Sequence, residues 1–212
     1  MKRWRNIFDN LMRKFYGWGM NANLRKVVII VAVLNLAYFG IEFVVASVIG
    51  SVSLFADSID FLEDTSLNFL IAIALGWSAT SRARLGMALA GILLIPGLAT
   101  LLMAWEKFMA PLPPAPIPLT LAGIGALSVN LSCAFILARF RTQSGSLTRA
   151  AFLSARNDAM ANIAIIAAGF ITAYTFSGWP DLIVGLGIAA LNAGAAREVW
   201  SAAHEEHRAA NA

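Results

Sequence analysis

Acidic residues interrupt an otherwise apolar stretch of this sequence, Ser53-Leu-Phe-Ala-Asp-Ser-Ile-Asp-Phe-Leu-Glu-Asp-Thr-Ser-Leu-Asn68. The stretch belongs to a segment that is long and hydrophobic enough to cross a bilayer. A carboxylate near the centre of a membrane helix costs about 2.5–3.5 kcal/mol on insertion scales. Asp57, Asp60 and Asp64 therefore need a compensating partner, and a bound cation is the simplest one.

The composition indicates an integral membrane protein. Mean hydropathy is +0.71, 59% of the residues are hydrophobic and 13% are charged. A membrane-spanning helix needs roughly 20 mostly apolar residues. The sequence offers six such stretches, which predict an all-α protein with six transmembrane helices: Val27 to Gly50, Ser53 to Trp77, Leu85 to Glu106, Pro118 to Phe140, Ala150 to Thr175, and Asp181 to Trp200.

The positive charges predict the orientation of these helices. Fourteen of the sixteen Lys and Arg residues fall in the N-terminal arm, or in the loops and tail on the same side. The opposite loops hold only Lys107, and Arg156 lies within the fifth span. Because cytoplasmic loops retain positive charge, both termini are expected in the cytoplasm. The same asymmetry accounts for the net charge of +4, which therefore gives no support to nucleic-acid binding.

The sequence divides into three parts on this interpretation. Residues 1–24 are expected to form a basic amphipathic helix at the membrane interface, residues 25–200 the six-helix transmembrane domain, and residues 201–212 a short cytoplasmic tail. The tail contains both histidines, His204 and His207. A solvated helix end accounts for this pair better than a metal site does.

Polar residues of the second span share one helix face. At 100° per residue, Asp57, Asp60, Asp64 and Asn68 fall within an arc of about 80°. Glu63 lies outside that arc. A polar stripe of this kind cannot face lipid, so it must line a cavity or meet another polar helix.

The fifth span supplies a matching stripe, in which Ser154, Asp158 and Asn162 follow one another at four-residue intervals. The second and fifth spans run antiparallel if all six cross the membrane. At 1.5 Å per residue, Asp60, Asp64 and Asp158 then reach similar depths near the middle of the bilayer. Three carboxylates and a hydroxyl could converge there as an oxygen-rich site for a divalent cation.

Purely structural pairing is the alternative explanation for these intramembrane carboxylates. Arg156 is the cation closest in sequence, but it lies about 160° from Asp158 around an ideal helix. One arginine also cannot neutralise the six acidic residues that fall in the first, second and fifth spans. For Glu63 and Arg156 themselves, a local ion pair or a snorkelling arginine is the preferred interpretation.

These motifs resemble those of the cation diffusion facilitator family of divalent-metal/proton antiporters. That family pairs an Asp/His-x-x-x-Asp motif on the second helix with another on the fifth, which here are Asp60-x-x-x-Asp64 and Ser154-x-x-x-Asp158. The resemblance covers nearly all of the six-helix region and extends to the flanking polar positions. It implies metal ligation by Asp60, Asp64, Asp158 and Ser154, and a pathway lined by Asp57, Asn68, Asn162, Asn35, Glu42 and Asn130. Asp181 matches another position that the family uses.

The resemblance implies a transporter rather than an enzyme. The cation would leave the cytoplasm in exchange for protons by alternating access, without a cofactor, in a multi-pass protein that dimerises through its membrane helices. The expected location is the inner (plasma) membrane of a bacterium. Zn²⁺ is the first expectation for the cargo, with Mn²⁺, Cd²⁺, Co²⁺ and Fe²⁺ as the other candidates.

Two departures from the family pattern affect this interpretation. Ser154 stands where members commonly have His or Asp, and an all-oxygen ligand set tolerates harder ions than imidazole does. Members also commonly carry a cytoplasmic metal-binding domain after the sixth helix. This sequence ends about a dozen residues past Trp200, as expected for a short form without that domain.

Two other functions stay open at this point. Intramembrane lipid-head-group transferases also hold metals on Asp-rich helices, but their Asp-Gly-x-x-Ala-Arg element does not precede Asp60. A membrane protein that assists another transporter without transporting anything itself would tolerate the weak ligand Ser154. Transport by the purified chain would separate this last alternative from an antiporter.

Overall fold

Six helices make up the part of the chain that the structure describes. A computed structural model describes the backbone of residues 2–74, 84, 87–88, 98–138 and 146–209, and the side chains within 24–73, 84, 87–88, 98–138, 155–194 and 197. These residues contain no strand, which confirms the predicted all-α class. The helices are α1 (Lys2–Ile49), α2 (Val52–Ala74), α3 (98–109), α4 (Pro116–Ala138), α5 (Ser146–Thr175) and α6 (Trp179–Ala209).

Three of these helices are apolar and long enough to cross a membrane by length and composition, within the described residues. They are Leu24–Ile49 in α1, Pro116–Ala138 in α4 and Ala155–Thr175 in α5, with mean hydropathies of 2.4, 1.9 and 1.3. Trp179–Gly194 in α6 is a shorter apolar helix. Helix α2 does not meet the same criterion because of its acidic residues. Half of the third predicted span, 85–106, lies outside the described residues.

Helix α1 is continuous from Lys2 to Ile49. The boundary predicted between an interfacial helix at 1–24 and the first membrane span is therefore not marked by a break in the helix. The side chains before Leu24 lie outside the described residues, so the interfacial role of this segment stays a prediction.

A tight turn joins α1 to α2. Gly50 adopts a left-handed conformation with φ of 63°, and the Ser51 amide donates to the Ala46 carbonyl at 3.0 Å. This bond closes α1 in a Schellman-type cap, for which glycine is the favoured residue. Ser51 then caps α2, because its hydroxyl accepts the Leu54 amide at 3.2 Å. The two helices thus leave the turn with fixed directions.

The Asp181 carboxylate, at the start of α6, completes the cap of α2. Its oxygens accept the amides of Val52 at 2.9 Å and Ser53 at 3.2 Å, and the hydroxyls of Ser51 and Ser53 at 2.6 Å each. Lys107 of α3 lies 3.4 Å from Asp181 and donates to the Gly50 carbonyl at 2.6 Å. We call this group the Asp181 clamp: Gly50, Ser51, Val52, Ser53, Lys107 and Asp181. It ties α2, α3 and α6 together at one end of the bundle.

Polar side chains collect in a layer between two apolar clusters. One cluster joins the α1 segment from Leu24 to Val31 to the far end of α2 and to Leu137 of α4. The other, nearer the α1–α2 turn, contains Ala46 of α1 and Ile165 of α5. Between them lies the polar layer, which we define as Asn35, Glu42, Asp57, Asp60, Asp64, Asn68, Asn130, Asp158 and Asn162. Apolar clusters therefore flank this layer on both sides along the bundle.

Candidate metal-binding site

The polar stripe of α2 points into the bundle. Asp57 and Asn68 are fully buried, Asp64 is 6% exposed and Asp60 is half-buried. Helix α2 can bury this stripe because it contacts α1, α5 and α6, and to a small extent α4. The structure thus places the four residues that the helical arc brought together in the interior of the protein.

The α1 side of the layer meets Asp64. Asn35 is fully buried, and its amide nitrogen lies 3.4 Å from Asp64 Oδ2. The Asn35 carbonyl oxygen in turn lies 3.5 Å from the Cys133 sulfur of α4. Asn68 donates back to the Asp64 backbone carbonyl at 2.8 Å. Asn35 thus links Asp64 of α2 to Cys133 of α4, and Asp64 lies against α1.

An amide relay from α4 and α5 meets Asp57. Asn162 of α5 donates to Asp57 Oδ2 at 2.6 Å, and Asn130 of α4 donates to Asn162 Oδ1 at 3.0 Å. All three side chains are at most 2% exposed. The relay therefore links three helices across the bundle, and it orients both donors toward the acidic face of α2.

The central carboxylates lie on facing helices. Asp60 is close enough to Asp57, Glu63 and Asp64 of its own helix, and to Asp158 of α5, for their charges to interact. Asp158 is half-buried, and its side chain is not free of interactions. The backbone of Ser154 is helical, but its side chain lies outside the described residues.

The described carboxylates do not by themselves form a complete set of metal ligands. Among the described side chains, no group of three or more His, Cys, Asp or Glu residues is gathered closely enough to hold a metal ion. Asp60 and Asp158 lie close enough across the α2–α5 contact for their charges to interact, and Asp64 follows Asp60 by about one turn of α2.

Two charged residues, Arg156 and Glu63, lie outside the stripe. Arg156 is exposed, and its guanidinium donates to the Asn157 side chain at 3.3 Å. Glu63 is only half-buried. Sequence reasoning missed Tyr38 of α1, whose hydroxyl donates to the Ala122 carbonyl of α4 at 2.6 Å. Cys133 of α4 belongs to the apolar cluster at the far end of α2 and also contacts the polar layer through Asn35.

The family is decided by comparison with known domains. The model of the cation efflux transmembrane domain matches residues 28–204, which covers all the described polar-layer residues. The chain belongs to the cation efflux family. The resemblance to cation diffusion facilitators is thereby confirmed. Comparison with functionally curated proteins finds no match.

Membership of the cation efflux family decides between function classes. Members transport divalent metal cations and are not enzymes, so the lipid-head-group transferase alternative is set aside. The chain is a membrane protein and a metal-cation efflux transporter.

Proposed function

We propose that the chain exports a divalent transition-metal cation from the cytoplasm in exchange for protons. Asp60 and Asp64 of α2, with Asp158 and Ser154 of α5, would bind the cation. The proposal rests mainly on the family match and on the charge interaction between Asp60 and Asp158 across two helices, in a polar layer flanked by two apolar clusters. A bacterial inner membrane is the proposed location.

Proton exchange follows from the chemistry of the ligands. Neighbouring carboxylates away from water bind protons readily, because ionising all of them is costly. A divalent cation needs those same oxygens in ionised form, so its binding releases protons. Metal and protons would therefore occupy the site alternately, which is the requirement for an antiporter.

Alternating access is supported by the two apolar clusters that flank the polar layer. Each cluster would separate in turn, so that the cation reaches the layer from one side and leaves on the other. Asp57, Asn68, Asn162, Asn35, Glu42 and Asn130 would line the path. Their amide and carboxylate oxygens can replace part of the hydration shell of a moving cation.

The ligand set favours no single metal strongly. Three carboxylates and a hydroxyl, completed by water, suit Mn²⁺ and other hard ions. Affinity for a given site nevertheless follows the Irving–Williams order, which is lowest at Mn²⁺, reaches its maximum at Cu²⁺ and falls again at Zn²⁺. We keep Zn²⁺ as the first candidate and Mn²⁺, Cd²⁺, Co²⁺ and Fe²⁺ as competitors. A homodimer through the membrane helices is also proposed, and the mass of the purified protein in detergent would test it.

The deciding experiment is metal flux into proteoliposomes under an imposed pH gradient, with Zn²⁺, Mn²⁺, Cd²⁺ and Co²⁺ in parallel. Asp64→Ala and Asp158→Ala should abolish gradient-driven flux, whereas Ser154→Ala should leave part of it. Glu63→Ala is the matched control, since it removes a carboxylate of α2 outside the stripe. Normal transport by all three site variants would refute the ligand assignment. Absence of flux for every metal in the wild type would favour the non-transporting partner instead.

A further inference from the structure

Two buried carboxyl groups near the α1–α2 turn contact each other. Glu42 of α1 and Asp57 of α2 are both fully buried, and their carboxyl groups lie within hydrogen-bonding distance. Neither Glu42 oxygen, nor Asp57 Oδ1, receives a hydrogen bond from the described residues. Three buried oxygens thus face one another without a donor.

The surroundings of this pair hold no compensating cation. No Lys, Arg or His among the described residues forms an ion pair with Glu42 or Asp57. The other ionisable groups near the pair are acidic or phenolic. They are Asp60 and Asp64 of α2 and Tyr38 of α1, whose hydroxyl is engaged with Ala122, while the neutral Asn130 and Asn162 face the pair from α4 and α5.

One proton between the two carboxyl groups supplies a hydrogen bond between them and removes the repulsion of two buried negative charges. Two ionised carboxylates in contact away from water repel each other strongly, and such pairs take up protons as a unit. Asn162 already donates to Asp57 at 2.6 Å, and this bond favours Asp57 as the ionised, accepting member of the pair. Glu42 is then the donor, and its O–H reaches the free oxygen of Asp57 in a charge-assisted hydrogen bond.

The pair is separate from the ligands of the proposed metal site. Asp57 precedes Asp60 by three residues, or about 4.5 Å along the helix axis, on the side of the α1–α2 turn. A cation bound at Asp60 would attract the negative charge of Asp57 and so favour loss of the shared proton to water. The two sites therefore lie close enough to influence each other without sharing a ligand.

We infer that Glu42 and Asp57 share one proton and form a proton-carrying site of their own, next to the metal ligands. This inference depends on the proposed metal exchange. When a cation binds at Asp60, Asp64 and Asp158, the shared proton leaves as well. The number of protons exchanged per cation thus exceeds the number displaced from the ligands themselves.

The test counts protons released when Zn²⁺ binds to the purified full-length chain in detergent, in weakly buffered solution with a pH-sensitive dye. Glu42→Gln keeps the shape and a donor toward Asp57 but removes the titrating group. We expect the number of protons released per Zn²⁺ bound to fall by about one in this variant. Glu106→Gln, which removes an exposed carboxyl group of α3, should leave the count unchanged.

Asp57→Asn provides the second, independent variant. Because the two groups share a single proton, Asp57→Asn alone and the double variant should each lose the same one proton as Glu42→Gln. Unchanged counts, or losses that add up in the double variant, would overturn the inference. If the wild type binds a second Zn²⁺ and Glu42→Gln does not, the pair is a metal-binding site rather than a proton-carrying site, and the inference is overturned. Failure of the wild type to bind any metal would instead refute the proposed function.

Discussion

Removal of the Asp181 carboxylate should destabilise the bundle more than any other single change outside the polar layer. The side chain is fully buried and accepts four hydrogen bonds from the start of α2. It is also the anionic partner of Lys107, which is 8% exposed. Asp181→Ala would therefore leave two helix-terminal amides without an acceptor and one buried ammonium group without a counterion.

The size of the effect follows from these lost partners. Removing one member of a buried ion pair typically costs about 3–5 kcal/mol. Each buried donor left unpaired costs about 1–3 kcal/mol, but the losses overlap because all bonds end on the same carboxylate. We expect the free energy of unfolding to fall by about 4 kcal/mol. For a protein of this length, that corresponds to a thermal midpoint lower by about 8–16 °C.

The chain carries its own reporter for this assay. Cys133 is the single cysteine, and its side chain is fully buried, so a thiol-reactive fluorophore labels it as the protein unfolds. The cycle comprises wild type, Asp181→Asn, Lys107→Met and the double variant, heated in detergent. Asp181→Asn should lower the midpoint more than Lys107→Met, because the lone carboxylate keeps four donors while the lone ammonium keeps only the Gly50 carbonyl.

The double variant decides whether the charges are coupled. It contains no unpaired buried charge, so its loss of stability should be smaller than the sum of the two single losses by about 1–3 kcal/mol. Strict additivity would show that Lys107 and Asp181 act independently. A shift of less than about 3 °C for Asp181→Ala would refute the reasoning from lost partners altogether.

Three further predictions use the same thermal assay. Gly185→Ala should cost about 1–3 kcal/mol, because the added Cβ would lie 2.7 Å from the backbone at the start of α2, whereas Gly187→Ala, which meets nothing within 4 Å, should be neutral or stabilising. Tyr38→Phe should cost about 0.5–1.5 kcal/mol through loss of its bond to Ala122, and an unchanged midpoint would contradict that bond. Zn²⁺ at about 100 times its Kd should stabilise the wild type by about 2.7 kcal/mol. Asp64→Asn should lose that protection, and retained protection would argue against Asp64 as a ligand.

Sequence alone anticipated the elements that depend on local periodicity. The helical repeat alone predicted that Asp57, Asp60, Asp64 and Asn68 share one face of α2. Because polar side chains are costly in lipid, that face was expected to point into the bundle. The facing residue Asn162 was found by the same repeat on α5. These predictions succeeded because the membrane makes the exposure of polar side chains costly, so periodicity translates directly into burial.

Contacts between residues distant in sequence escaped prediction. Ser51 and Asp181 are separated by 130 residues, and nothing in the local sequence around either one reveals that they meet. Glu42 and Asp57 were both placed along a polar path, but their direct contact depends on the rotation of α1 against α2. Such rotations are set by packing over the whole helix, which single-sequence patterns do not specify.

The packing of the helices explains why an ion at the proposed site would matter for the state of the bundle. Helix α1 packs most extensively on α2, and α4 packs most extensively on α5, whereas α2 and α5 contact each other less. The proposed ligands Asp60 and Asp64 lie on one side of this weaker contact and Asp158 on the other. A bound cation would therefore hold the two helix pairs together, and protons that replace it would leave the contact held by hydrogen bonds such as Asn162 to Asp57. Thermal protection by Zn²⁺ should accordingly require ligands from both pairs, so Asp158→Asn should abolish it as completely as Asp64→Asn does.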